Sequence, residues 1–314
     1  MKSENVLTVL DNWRGRIECG PPVCQVTCIR ILVLFSLVFG VFPSDSFGEQ
    51  LPAVPQRIVS LGPVNTENLY LLGAGDRLVG NTMYCVRPEQ AKTVKKVGSV
   101  MQVNIEKLVS LEPDLVLTTG LTQPMQLESL RKFGVTLAHF EQPSSFAQSC
   151  VQFIELGRLL GLEERAGGII AQIRQQVSSL GAQVSDRSKP SVLLQIGANP
   201  LYVTGGDTFL SDYIRLGGGR NVMEQRNSGR IDYEEVVAVN PDVIIIAIMG
   251  SETGVAGQEL EKWQKFVTVN AVKTGRVHII DPNLACSPSP ATFTQALRLI
   301  TGFIHPNTLR ETEQ

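Results

Sequence analysis

Apolar residues recur at helical spacing through the middle of this chain. From Ala166 they fall at Ala166, Ile170, Ile173, Val177, Leu180 and Val184. Gaps of three and four put them on one helix face. Gln172, Arg174, Gln175, Gln176 and Ser178 occupy the opposite face. Lys189 and Pro190 end the pattern, because a residue before proline is pushed away from helical angles. An earlier helical stretch from Phe146 to Leu160 runs into it through Gly161. The spacing thus predicts helix from Ser144 to Val184, its later part a rod of about 30 Å at ~1.5 Å per residue.

On both sides the pattern changes to short apolar runs. Strands are predicted at 57–61, 78–79, 115–118 and 135–139, then at 192–196, 243–248 and 277–280. Helical stretches alternate with them, which implies mostly parallel sheets covered on both faces. The two flanks also repeat. Residues 104–117 and 232–245 align without a gap at an offset of 128, with Glu106/Glu234, Val109/Val237, Pro113/Pro241 and Asp114/Asp242 identical. Each reads as one unit: Asn104 or Asp232 caps a short helix, an acidic residue sits in its positively polarised first turn, and Pro-Asp feeds a strand. Leu72-Gly73-Ala74-Gly75 and Leu216-Gly217-Gly218-Gly219 each close a helix, and Gly134 and Gly275 each precede a later strand. The expected class is α/β, with two similar doubly wound lobes joined by one long backbone helix. The expected division is a leader at 1–48, an N-terminal lobe at 49–143, bridging helices at 144–186 and a C-terminal lobe at 187–314.

Composition allows this. With 314 residues, 43% hydrophobic, a core large enough for two lobes can form. The net charge of −2 comes without a basic block, so no nucleic-acid partner is expected. Arg30 precedes an apolar run from Ile31 to Phe42, too short for a membrane span of ~20 residues but suited to an export signal. Ser46 and Gly48 place small residues before a cleavage point near Gly48-Glu49, so export to the periplasm is expected. Cys28 precedes that run rather than following it, so no lipid anchor is expected. Cleavage would leave Cys85, Cys150 and Cys286, an odd number without a CxxC pair.

Catalytic constellations are scarce. His139, His278 and His305 are scattered, and there is no HExxH, GxSxG, P-loop or GxGxxG. No resident metal or cofactor is expected, and a binder of free zinc or manganese would need clustered histidines. An exported enzyme on the same scaffold would need an acid, base or nucleophile cluster that the chain does not display. In doubly wound sheets the loops after the strands gather in one crevice. Here they are 62–66, 82–85, 120–122, 197–200, 251–253 and 285–288, joined by 99–103 and 226–231. They are rich in amides, hydroxyls and single apolar residues, a lining that suits holding a ligand more than transforming one.

In their order and spacing, Arg57-Ile58-Val59-Ser60-Leu61, Thr66-Glu67, Val79-Gly80, Asn104-Ile105-Glu106, Leu111-Glu112-Pro113-Asp114 and 193–200 resemble the periplasmic substrate-binding proteins of vitamin B12 and iron-siderophore ABC importers. The resemblance covers about 55–306 and implies two α/β lobes, a bridging helix and a ligand in the cleft. It implies a monomer with no cofactor of its own, which hands a small molecule to a permease dimer in the inner membrane. The likeness is closest to the vitamin B12 binders. From the crevice loops, Asn65, Thr66, Tyr84, Met101, Gln102, Asn199, Pro200 and Arg230 are the expected ligand-binding residues, and the resemblance implies Tyr84 against the corrin. Glu106 and Glu234 match the paired surface glutamates that such proteins offer to the permease. One departure stands out: Ser99-Val100-Met101-Gln102 lacks the cleft tryptophan of those binders. A ferric siderophore or haem is the alternative ligand, for which Arg226 and Arg230 would supply charge.

Overall fold

The computed structural model describes residues 54–248 and 254–306. All of them belong to one compact unit, Leu51–Gln314. The leader expected at 1–48 and the loop expected at 251–253 lie outside the described residues.

Seven elements build the first lobe: β1 (Ile58–Ser60), α1 (Pro63–Leu71), β2 (Leu78–Asn81), α2 (Ile105–Val109), β3 (Leu115–Thr119), α3 (Pro124–Lys132) and β4 (Leu137–Phe140). Its sheet has the order β2-β1-β3-β4, and all its pairings are parallel. Two helices follow, α4 (Phe146–Leu159) and α5 (Glu163–Ala182). The second lobe then runs through β5 (Ser191–Gly197), β6 (Tyr202–Val203), α6 (Phe209–Leu216), β7 (Arg220–Asn221), β8 (Gly229–Arg230), α7 (Tyr233–Val239), β9 (Val243–Ile246), α8 (Val255–Trp263), α9 (Asn270–Lys273), β10 (Val277–Ile279), α10 (Pro282–Ala285) and α11 (Pro290–Ile304). Its sheet has the order β10-β9-β5-β6-β8, with β7 also pairing β5. The pairings of β10, β9, β5 and β7 are parallel, and those of β6 and β8 are antiparallel.

Alternation along the strands decides which side each residue covers. Ile58, Leu115 and Leu117 of the first sheet and Val192, Leu194, Val243 and Ile245 of the second belong to one continuous apolar cluster. The buried stripe of α5 (Ala166, Ile170, Ile173, Val177 and Leu180), together with α4 and α11, completes it. The bridge is therefore a helical layer shared by both sheets, not a linker. The intervening residues turn the other way: Val59, Leu61 and Val116 pack under α2 and α3, and Leu193, Ile244 and Ile246 pack under α7, α8 and α9.

The repeat has a physical basis. Asp114 accepts the backbone N–H groups of Gln56 and Arg57 at 2.6 and 3.0 Å, and Asp242 accepts the N–H of Ser191 at 2.9 Å and its hydroxyl at 2.7 Å. In each lobe the Pro-Asp aspartate thus fastens the start of the central strand to the next strand. Just before it, Glu112 and Asn240 hold matching left-handed backbone angles, φ 49° and 45°. Burial pushes the Asp242 carboxyl up, but the hydrogen bonds from Ser191 and Asn270 and the charge of Arg276 outweigh it and hold its pKa below the usual value. The glycine stops align one residue differently from the pairing of Leu72 with Leu216. Gly73 (φ 76°) is matched by Gly218 (φ 78°), each taking the left-handed step that ends its helix.

Candidate ligand-binding site

The order β2-β1-β3-β4 reverses direction between β1 and β3, and the crevice beyond the carboxyl ends of such strands is where open α/β sheets take ligands. A recess of about 220 Å³ lies there. Gly62, Pro63 and Asn65 line it after β1, Thr119, Gly120 and Leu121 after β3, and Glu141 and Gln142 after β4. Val100, Gln152 of α4 and Ser287 of the second lobe close it. A second recess, about 480 Å³, lies in the second lobe where β5 ends. Asn199, Pro200, Arg230, Asp232, Tyr233 and Lys262 are among its walls. Enclosed pockets for drug-sized ligands span roughly 300–1,000 Å³. The first recess falls short of that range and the second lies within it.

Beside the first recess, loops tied to one another present apolar side chains to solvent. Met83 N–H donates to the Gly98 carbonyl at 2.9 Å, and Gln126 donates to the Met101 carbonyl at 3.2 Å. Gly98 makes the tight turn (φ 117°), where a Cβ would meet the Gln102 carbonyl at 2.4 Å. Met83, Tyr84, Met101 and Leu121 stand exposed on these loops, Tyr84 at 58%, and Met125 is exposed in the first turn of α3. Such a patch of methionine and aromatic surface is adaptable and has the character of a binding wall. Beneath it the Lys96 ammonium donates to Asn81 Oδ1 at 2.8 Å, the Ala91 carbonyl at 2.9 Å and the Cys85 carbonyl at 3.3 Å. Burial pulls the Lys96 pKa down, opposed by Cys85. Lys96 thereby pins the loop that carries Tyr84.

The expected residues divide among these places. Asn65 lines the first recess, its amide donating to the Thr118 carbonyl at 3.3 Å. Tyr84, Met101 and Gln102 are exposed on the loops beside it. Asn199, Pro200 and Arg230 line the second recess. Thr66 lines neither recess: it is fully buried, and its hydroxyl donates to Ser60 Oγ at 2.9 Å. Glu106 and Glu234 are exposed near the starts of α2 and α7, whose caps Asn104 and Asp232 accept from the N–H groups of Lys107 and Glu235. Arg226 is exposed and pairs with Glu235.

Further residues in or beside these walls carried no local signal in the sequence. Tyr202 is exposed and lies opposite Arg230 across β6 and β8. Glu141 and Gln152 reach the first recess only through the fold. Trp263 is fully buried in α8 and donates to Gln195 Oε1 at 2.8 Å. Gln195 and Tyr233 in turn donate to buried Glu259 at 2.8 and 2.6 Å, a network that supports the second recess from behind. Burial, then the Glu259 carboxylate, pushes the Tyr233 hydroxyl well above its usual pKa. Cys85, Cys150 and Cys286 are free and buried, and burial pushes the Cys286 thiol up to about 12. Among the described residues, no three metal-ligating side chains gather.

Two α/β lobes on a shared helical layer, each with a recess at its strand ends, define a two-lobed binding protein. The chain belongs to the periplasmic binding protein family, whose pattern matches residues 58–284. An uncharacterised ABC transporter substrate-binding lipoprotein of Bacillus subtilis, YvrC, is 30% identical over 265 residues, 82% of either chain. The vitamin B12-binding protein of Photorhabdus laumondii is 29% identical over 206 residues, covering 65% of this chain and 74% of that one. A periplasmic haem-binding protein from Pseudomonas aeruginosa superposes with a TM-score of 0.72 at 26% identity, over 81% of this chain and 94% of that one. The chain is thus a substrate-binding protein of the ABC-importer kind, and such proteins deliver a small molecule to a membrane permease.

Proposed function

We propose that this protein captures a corrinoid between its lobes, outside the cytoplasmic membrane, and delivers it to an ABC importer. The observation that carries the reading is the lining of the first recess. Among the described residues it holds amides, hydroxyls, apolar groups and one carboxylate, Glu141, with no cation, and methionines and Tyr84 stand beside it. An amide-fringed macrocycle suits such a lining, because its polar edge finds neutral partners while its flat face covers aromatic and thioether surface. A relative named for vitamin B12 binding supports the same ligand class. Haem or a ferric chelate is the second reading, favoured by Arg230 in the other recess and by the likeness to a haem-binding structure. Glu106 and Glu234, exposed and equivalent in the repeat, are the proposed contacts to the permease. The absorbance spectrum of protein purified from its native host tests the ligand. Corrinoid bands support the first reading, a Soret band or a ferric charge-transfer band replaces it with the second, and retained colourless cargo removes both.

A further inference from the structure

Few polar groups hold one lobe directly to the other. Among the described residues, every hydrogen bond running directly between 54–143 and 187–306 is donated by Arg87. Its Nη1 donates to the Asn283 carbonyl on α10, and its Nη2 donates to the Ser287 carbonyl at 2.7 Å. On its own lobe the same guanidinium is anchored to Glu67 of α1, with Nε and Nη2 at 3.3 and 3.0 Å from Oε2. Glu67 has a side chain only 10% exposed. A planar fork of five donors can serve a carboxylate and two carbonyls together, which a single ammonium cannot do in the same geometry.

The placement ties this contact to the crevice. Ser287 is a wall of the first recess, and Arg87 stands three residues beyond Tyr84 on the loop that Lys96 pins. We propose that Arg87, anchored by Glu67, is a positioning residue that clamps the turn after α10 to the first lobe and so sets the aperture of the crevice. Retention of cargo in that crevice is the part of this inference that rests on the proposed function. Opening breaks the two carbonyl contacts but leaves the Arg87–Glu67 pair intact, so no charge is stranded and the clamp can close again.

The test uses nitroxide labels on Arg131→Cys and Lys273→Cys, exposed positions on the two lobes, since the native Cys85, Cys150 and Cys286 are buried. Without ligand, Arg87→Ala should broaden the interlobe distance distribution, Glu67→Gln should broaden it less, and Arg87→Lys should restore it only in part. Cyanocobalamin should dissociate roughly tenfold faster from folded Arg87→Ala, with association changed far less. If Arg87→Ala does not fold, Arg87→Lys carries both measurements. An unchanged distribution in a folded variant overturns the clamp. A broadened distribution with unchanged dissociation overturns its role in retention. If the parent protein does not bind cyanocobalamin, the ligand reading fails, and the ligand-free distances still decide the clamp.

Discussion

Tyr84 and His278 show how differently two ring side chains can be used here. Tyr84 is held out to solvent on a loop that Lys96 ties down from below, so its ring is offered at little further ordering cost. Tyr84→Ala should weaken corrinoid binding by about 1–3 kcal/mol through lost aromatic contact. Calorimetry on the variant measures this, and an unaltered affinity removes Tyr84 from the site. His278 is stacked on Phe303, ring centroids 4.4 Å apart, and its buried Nε2 has no partner. Burial and then Arg276 lower its pKa, and burial also lowers that of His305. A depressed imidazole contributes stability that is present above its unfolded value of about 6.5 and is lost as pH falls through its folded value. Melting temperature should therefore fall as the solution is acidified below that point, and His278→Phe should flatten the decline. An equal acid slope in the variant refutes this role. Thr66, expected at the crevice, is buried on the sheet-facing side of α1 while its neighbour Asn65 lines the recess, because consecutive helix positions point in directions about 100° apart.

At the scale of elements, the repeated helix-turn-strand unit was legible because every interaction in it is local or lies one strand away. Caps, the first-turn acid and the Pro-Asp step all have sequence signatures. The structure adds what Asp114 and Asp242 do, which is to fasten the central strands. Asp242→Ala should lower unfolding free energy by about 1–3 kcal/mol, because the Ser191 donors lose their acceptor. Asp114→Ala should cost less, its carboxylate being more exposed. Denaturant titration of both variants checks the order, and the reverse order argues against the fastening role. The antiparallel additions β6 and β8 were not legible, since two-residue strands carry no periodicity. They nevertheless bring Tyr202 and Arg230 together at the edge of the second sheet.

For the whole molecule, the central stripe from Ala166 to Val184 gave the architecture away, because a helix buried on one face between two repeats has to serve both. What the sequence could not display is the lining of the first recess, made by residues as distant along the chain as Gly62, Gln152 and Ser287. The repeat also sets the proposed relation to the permease. Glu106→Ala and Glu234→Ala should each leave ligand affinity nearly unchanged and reduce uptake in cells, with the double variant worst. A carboxylate removed from a partly desolvated contact with arginine is worth about 2–5 kcal/mol. Loss of ligand binding in either variant instead places that carboxylate in the crevice, and unimpaired uptake in the double variant ends the docking role. The central claim, that the crevice holds a corrinoid, is tested most directly by calorimetric titration of the purified protein with cobalamin, cobinamide, haem and ferric siderophores in parallel. The expected result is micromolar or tighter binding of a corrinoid, at least tenfold stronger than any ferric chelate or haem; tighter binding of haem or a siderophore, or no heat from any of them, contradicts it.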